Sequence, residues 1–78
     1  MDIIKIKDKP IKNYIIAGMQ SISKYKGVKI LARGRKYNGV AIDVALILLR
    51  GTDMKYDIKI YDEEFDGRKV SSIEITLN

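Results

Sequence analysis

From Val40 to Leu49 the chain reads Val-Ala-Ile-Asp-Val-Ala-Leu-Ile-Leu-Leu, with Asp43 as its only charge. A helix lying on the outside of a two-layer domain needs one apolar stripe, and this stretch is apolar nearly all round. In a chain of 78 residues little other protein is available to cover the excess. The surplus face therefore points to burial against another chain, most simply in a homodimer, with Val44, Ile47 and Leu48 as the candidate contacts. A generous internal core is the plainer account of the same leucines.

The segments around this helix alternate in period. Ile3, Ile4 and Ile6 interleave with Lys5 and Lys7 as a first strand. Pro10 suits a helix entrance, and Ile11, Ile15, Gly18/Met19 and Ile22 then recur at helical spacing up to a cationic end, Lys24 and Lys26, closed by Gly27. Gly18 in mid-helix costs up to about 1 kcal/mol of helix propensity relative to alanine, and close packing is the usual reason for such a glycine. Val28 to Arg33 alternates as a second strand, and Asn38 is a plausible N-cap for the second helix, which Gly51 ends. A helix start a few residues earlier fits as well. Tyr56 to Tyr61 and Val70 to Leu77 form two further strands joined through Asp66-Gly67, a strong hairpin signal. The expected fold class is α/β: residues 1–78 form a single two-layer sandwich in the order β-α-β-α-β-β, a four-stranded mixed sheet with two helices on one face.

Charge narrows the partner. The net charge is +5, and it is regional. Six cations and no acid occur from Lys24 to Lys36, while Asp62, Glu63, Glu64 and Asp66 fall within five residues. A patch of this kind suits a polyanion, nucleic acid first. Lys9, Lys12, Arg33, Arg35, Lys36, Arg68 and Lys69 stand at helix entrances or at the hairpin, from which long side chains reach phosphates. Any one of them alone is an ordinary solvated cation. No exposed helix reads as a base-reading code and no aromatic run stacks single-stranded bases, so backbone binding with little sequence preference is expected.

Catalysis is not expected. The chain has no histidine and no cysteine, and neither the GxxxxGK[ST] nor the GxGxxG phosphate loop. Alternation along a strand turns Asp62 and Glu64 away from Glu63, so the acids read as an acidic hairpin tip and not as a metal cage. No cofactor or metal is expected. The first residues, Met1-Asp2-Ile3-Ile4-Lys5, lack a secretory pattern and no apolar run approaches a membrane span, so a cytoplasmic protein without membrane contact is expected.

The order Lys9-Pro10-Ile11-Lys12-Asn13-Tyr14, Ala32-Arg33-Gly34-Arg35, Ala41-Ile42-Asp43-Val44-Ala45 and Asp66-Gly67-Arg68 before Val70-Ser71-Ser72-Ile73-Glu74-Ile75 resembles the archaeal chromatin protein family Alba, over almost the whole chain. The resemblance implies the same two-layer fold, a homodimer, and architectural binding of double-stranded DNA in the nucleoid. RNA binding also occurs in the family, and some relatives are ribonuclease P subunits. The family's contacts map onto Lys9, Arg33, Arg35, Arg68 and Lys69. Four departures stand out: Asp8 replaces a lysine that many members carry before the proline, a lysine whose acetylation is proposed to regulate the family; the Arg35–Ala41 segment is one residue longer; the hairpin is short and acidic; and Gly51-Thr52 stands where similar proteins have an aromatic used between dimers. The near alternatives are an RNA-binding protein, or a heterodimer partner of another Alba-like chain with weakened DNA binding.

Overall fold

The computed structural model describes residues 1–78. Its elements run β1 (Asp2–Lys5), α1 (Ile11–Tyr25), β2 (Val28–Arg33), α2 (Arg35–Leu49), β3 (Tyr56–Phe65) and β4 (Arg68–Leu77). The sheet order is β1-β2-β4-β3. β1 lies parallel to β2, with Ile4 opposite Ile30. β4 is antiparallel to both β2 and β3, with Ile30 opposite Ile75 and Ile75 opposite Ile58.

The alternating strand residues bury one face. Ile4, Val28, Ile30, Ala32, Ile73, Ile75 and Leu77 are all buried, which places both helices on that side. α1 packs on β1 and β2, and α2 on β2 and β4. Neither helix covers β3. Tyr56, Ile58 and Ile60 sit opposite Leu77, Ile75 and Ile73 and so share the core face, yet they stay exposed, Ile60 at 75%.

Three local expectations change. Asn38 is not an N-cap: α2 starts at Arg35, and Gly34 takes the capping position with φ 93 and ψ 150, a conformation open almost only to glycine. Asn38 instead lies inside the helix, where its Nδ2 donates to the Ser71 carbonyl and to the Ser71 hydroxyl, both at 3.2 Å. At the end of α1 the left-handed residue is Lys26, not Gly27. Gly27 is required by space, since a Cβ there would stand 2.7 Å from the Leu77 carbonyl oxygen. The hairpin is longer than expected, with ten residues in each of β3 and β4. Asp62, Glu63 and Glu64 consequently pair along the ladder with Ser71, Val70 and Lys69, and the turn itself is Asp66 and Gly67, both at positive φ.

Gly18 does serve close packing. A Cβ at this position would meet Leu48 Cδ1 at 2.5 Å, so the missing side chain is what lets α1 and α2 approach. Ser21, fully buried beneath α1, donates to the Gly27 carbonyl at 2.6 Å and accepts from the Asp2 amide at 3.3 Å. It ties the end of α1 to the start of β1.

The residues proposed for a subunit contact divide. Val44 (0% exposed) and Leu48 (6%) belong to the core of the single chain, which corrects their assignment to an interface. Their side chains are consumed by packing on the sheet and on Gly18. Ile47 is half-buried on the flank facing α1, where it lines a groove with Ile15, Met19, Ile22 and Met54. The apolar residues left outside on α2 are Ile42 and Leu46. At about 100° per residue they fall on the flank away from α1, the side of the uncovered β3.

Candidate nucleic-acid interface

Topology gathers the basic turns at one end of the sheet. Because β1 and β2 are parallel, both strands deliver their helices from the same end. Because β4 runs antiparallel to β2, the Asp66-Gly67 turn projects from that end too. The ladder pairs Arg33 with Ser72, so Arg68 lies about 13 Å farther out along β4. All seven cations expected at a binding face therefore share one end, with Arg68 and Lys69 on the projecting arm.

Both helix entrances suit anions. Neither α1 nor α2 has an acidic residue in its first turn, and neither has a side-chain cap. Their first backbone N–H groups lack intrahelical partners and carry the positive end of the helix dipole. Lys9 precedes α1 and Lys12 lies in its first turn, while Arg35 and Lys36 open α2, and all four are exposed.

The loop carrying Lys9 is held by a side chain from α1. The buried Tyr14 hydroxyl accepts from the Lys7 amide at 2.8 Å and from the Lys9 amide at 3.1 Å. This loop also meets the entrance of α2. The Tyr37 hydroxyl donates to Asp8 Oδ1 at 2.6 Å, and Lys36 Nζ lies 3.7 Å from the same oxygen. The Tyr37 hydrogen bond, helped by the Lys36 charge, holds the Asp8 carboxyl below its ordinary value of 3.8, and the same bond pushes the Tyr37 phenol above 10.0. Asp8 thus stands beside Lys36 in an exposed, weak ion pair.

Arg33 is engaged as well. Its Nη2 stands 2.6 Å from Glu63 Oε2, and its guanidinium lies 5.2 Å from the centre of the Phe65 ring. Lys9, Lys12, Arg35, Arg68 and Lys69 make no ion pair. The contacts of Tyr37 and Glu63 escape a linear reading because their partners lie far along the chain. Asp8 and Tyr37, for instance, are 29 residues apart.

Asp62, Glu63, Glu64 and Asp66 do not converge; no three histidine, cysteine, aspartate or glutamate side chains gather as metal ligands. No helix is long and apolar enough to cross a membrane.

Comparison with known proteins decides the lineage. The family model described as Alba matches residues 2–64, most of the chain. The chain belongs to the Alba family. Alba proteins are nucleic-acid-binding architectural proteins. Among solved structures, this chain is similar to Alba from Thermoplasma volcanium, at 31% sequence identity and a TM-score of 0.76, over 97% of this chain and 98% of that one. The likeness extends across the β3–β4 arm and β4, beyond the residues that the family model matches. No curated protein matches the sequence. The β-α-β-α-β-β order and the mixed four-stranded sheet are those of the Alba fold.

Proposed function

We propose that this Alba-family chain is a non-enzymatic, dimeric, sequence-independent binder of double-stranded DNA, acting as an architectural protein of the nucleoid in the cytoplasm. The observation that carries the reading is the meeting, at one end of the sheet, of seven cations and two helices whose first turns hold no acid. Lys9, Lys12, Arg35 and Lys36 would take phosphates of the duplex backbone, Arg33 would join after exchanging Glu63 for a phosphate, and Arg68 and Lys69 would extend the contact along the arm.

Dimerisation is supported by the apolar surface that no helix covers. Tyr56, Ile58 and Ile60 on β3 and Ile42 and Leu46 on α2 are all exposed. A second copy related by a two-fold axis would bury these side chains and double the basic face. A heterodimer with another Alba-like chain is the second reading, favoured by Asp8 and Glu63, which already neutralise Lys36 and Arg33.

Gel shifts across a salt series, with duplex DNA and structured RNA in parallel, test the reading. If about 6 to 10 phosphates are neutralised per dimer, affinity falls roughly 10³- to 10⁵-fold between 50 and 200 mM salt. A flat salt response, or duplex binding unchanged by Arg35→Ala with Lys9→Ala, would refute it. Tighter binding of structured RNA than of duplex would move the ligand assignment to RNA.

A further inference from the structure

The face of the sheet opposite the helices contains a notch that shares only Arg33 with the phosphate-binding face proposed above. Register sets Arg33, Ser72 and Tyr61 side by side on β2, β4 and β3. A serine between two long side chains on adjacent strands leaves a gap, because its neighbours rise well above it. The gap has a volume of about 170 Å³ and is lined by Lys5 and Lys7 on one side, Leu31 and Ser72 at its floor, and Arg33, Glu63 and Tyr61 on the other.

Three features point to a ligand. Ser72 is 1% exposed and its hydroxyl has no hydrogen-bond partner, a condition rare for a buried polar group. Tyr61 keeps 40% of its surface exposed at the rim, with its phenol pushed above 10.0 by lost hydration and then by Glu63 and Glu74. Lys5 and Lys7, both exposed and without an ion pair, bring positive charge to the opposite rim.

We propose that this notch is a second nucleic-acid site, which takes one unpaired nucleotide of a single strand, its base against Tyr61 and its phosphate on Lys5 and Lys7. The partly exposed Arg33–Glu63 pair offers donors and an acceptor to the edge of the base, and the Ser72 hydroxyl lies unpaired beneath them. A free phosphate would account for the lysines but not for the ring, and a duplex keeps its base faces stacked inside. The volume is below that of a drug-sized pocket and suits a single base. Aromatic stacking beside a basic groove is how single strands are held without sequence preference.

The test is an NMR titration of the full chain with adenosine monophosphate and with six-nucleotide RNA and DNA single strands, followed by affinity measurements on variants. Amide shifts at Leu31, Arg33, Tyr61 and Ser72 are expected from all three probes. Tyr61→Ala is expected to weaken hexamer binding about tenfold and to leave duplex affinity unchanged. Lys5→Glu with Lys7→Glu should weaken the hexamers similarly. Shifts confined to residues 9–12 and 34–37, or equal hexamer affinity in Tyr61→Ala and the parent chain, would overturn the proposal. Notch shifts in a protein that fails to bind duplex would support this site and refute the duplex reading alone.

Discussion

Glu63 reaches across from β3 to hold Arg33, the last residue of β2, with 2.6 Å between carboxylate and guanidinium. In the proposed complex this carboxylate competes with a phosphate for the guanidinium. Glu63→Gln is expected to tighten duplex binding by about two- to fivefold at low salt, the range of an exposed ion pair. The Arg33 side chain is half exposed, so the loss of protein stability should stay under about 1 kcal/mol. Fluorescence anisotropy at two salt concentrations checks the first effect and urea unfolding the second. Weaker binding in the variant would show that Glu63 orients Arg33 and does not compete for it.

The Asp8–Tyr37 bond predicts a pH window for stability. Asp8 is depressed in the folded protein, so its contribution is present above 3.8 and is lost as pH falls through its lowered folded value. Tyr37 is raised, so its contribution is present below 10.0 and disappears as pH climbs through its higher folded value. Tyr37→Phe should remove most of the Asp8 slope on the acid side and the whole Tyr37 slope on the alkaline side. Urea midpoints measured from pH 2 to 11 would reveal it, and unchanged slopes would mean the bond does not persist in solution.

Gly34 carries the shortest connection in the chain, a single residue between β2 and α2. With φ 93 it tolerates no other residue without strain, although a Cβ would come no closer than 4.0 Å to Val70. Backbone strain and not crowding therefore sets the cost. Gly34→Ala should destabilise the fold by about 1 to 3 kcal/mol and weaken duplex binding by moving Arg33 and Arg35 off their paths. Thermal melts and anisotropy on the same sample measure both.

Ile60 is the most exposed of the large apolar residues. Ile60→Asp puts a charge into the surface proposed to meet a second copy, at a position beside Ile73 but outside the core cluster of the single chain. Light scattering at micromolar concentration should show a dimer for the parent chain and a monomer for the variant, with circular dichroism unchanged. A monomeric parent chain would end the dimer proposal.

Local chemistry made the elements legible. Isoleucines alternating with lysines, Pro10 before a helical apolar spacing, and Asp66-Gly67 between two alternating runs each act within a few residues, and the strands and helices formed there. Asn38 misled because a residue suited to capping also suits a side-chain bond to a distant carbonyl, and Ser71 supplied one. Gly34 signalled the true helix start, but only its backbone angles reveal that.

The sequence by itself determined the order of elements, the surplus of apolar surface on α2 and the basic character of the turns, since these follow from residue type and short-range spacing. Only the tertiary structure decided that Val44 and Leu48 go inward while Ile42 and Leu46 stay out, that the cations share one end, and that Glu63 finds Arg33. The packing of α2 on the sheet and on Gly18 sets the first, and the strand order β1-β2-β4-β3 sets the other two. That order brings together residues far apart in the chain, and such pairings depend on the packing of the whole sheet.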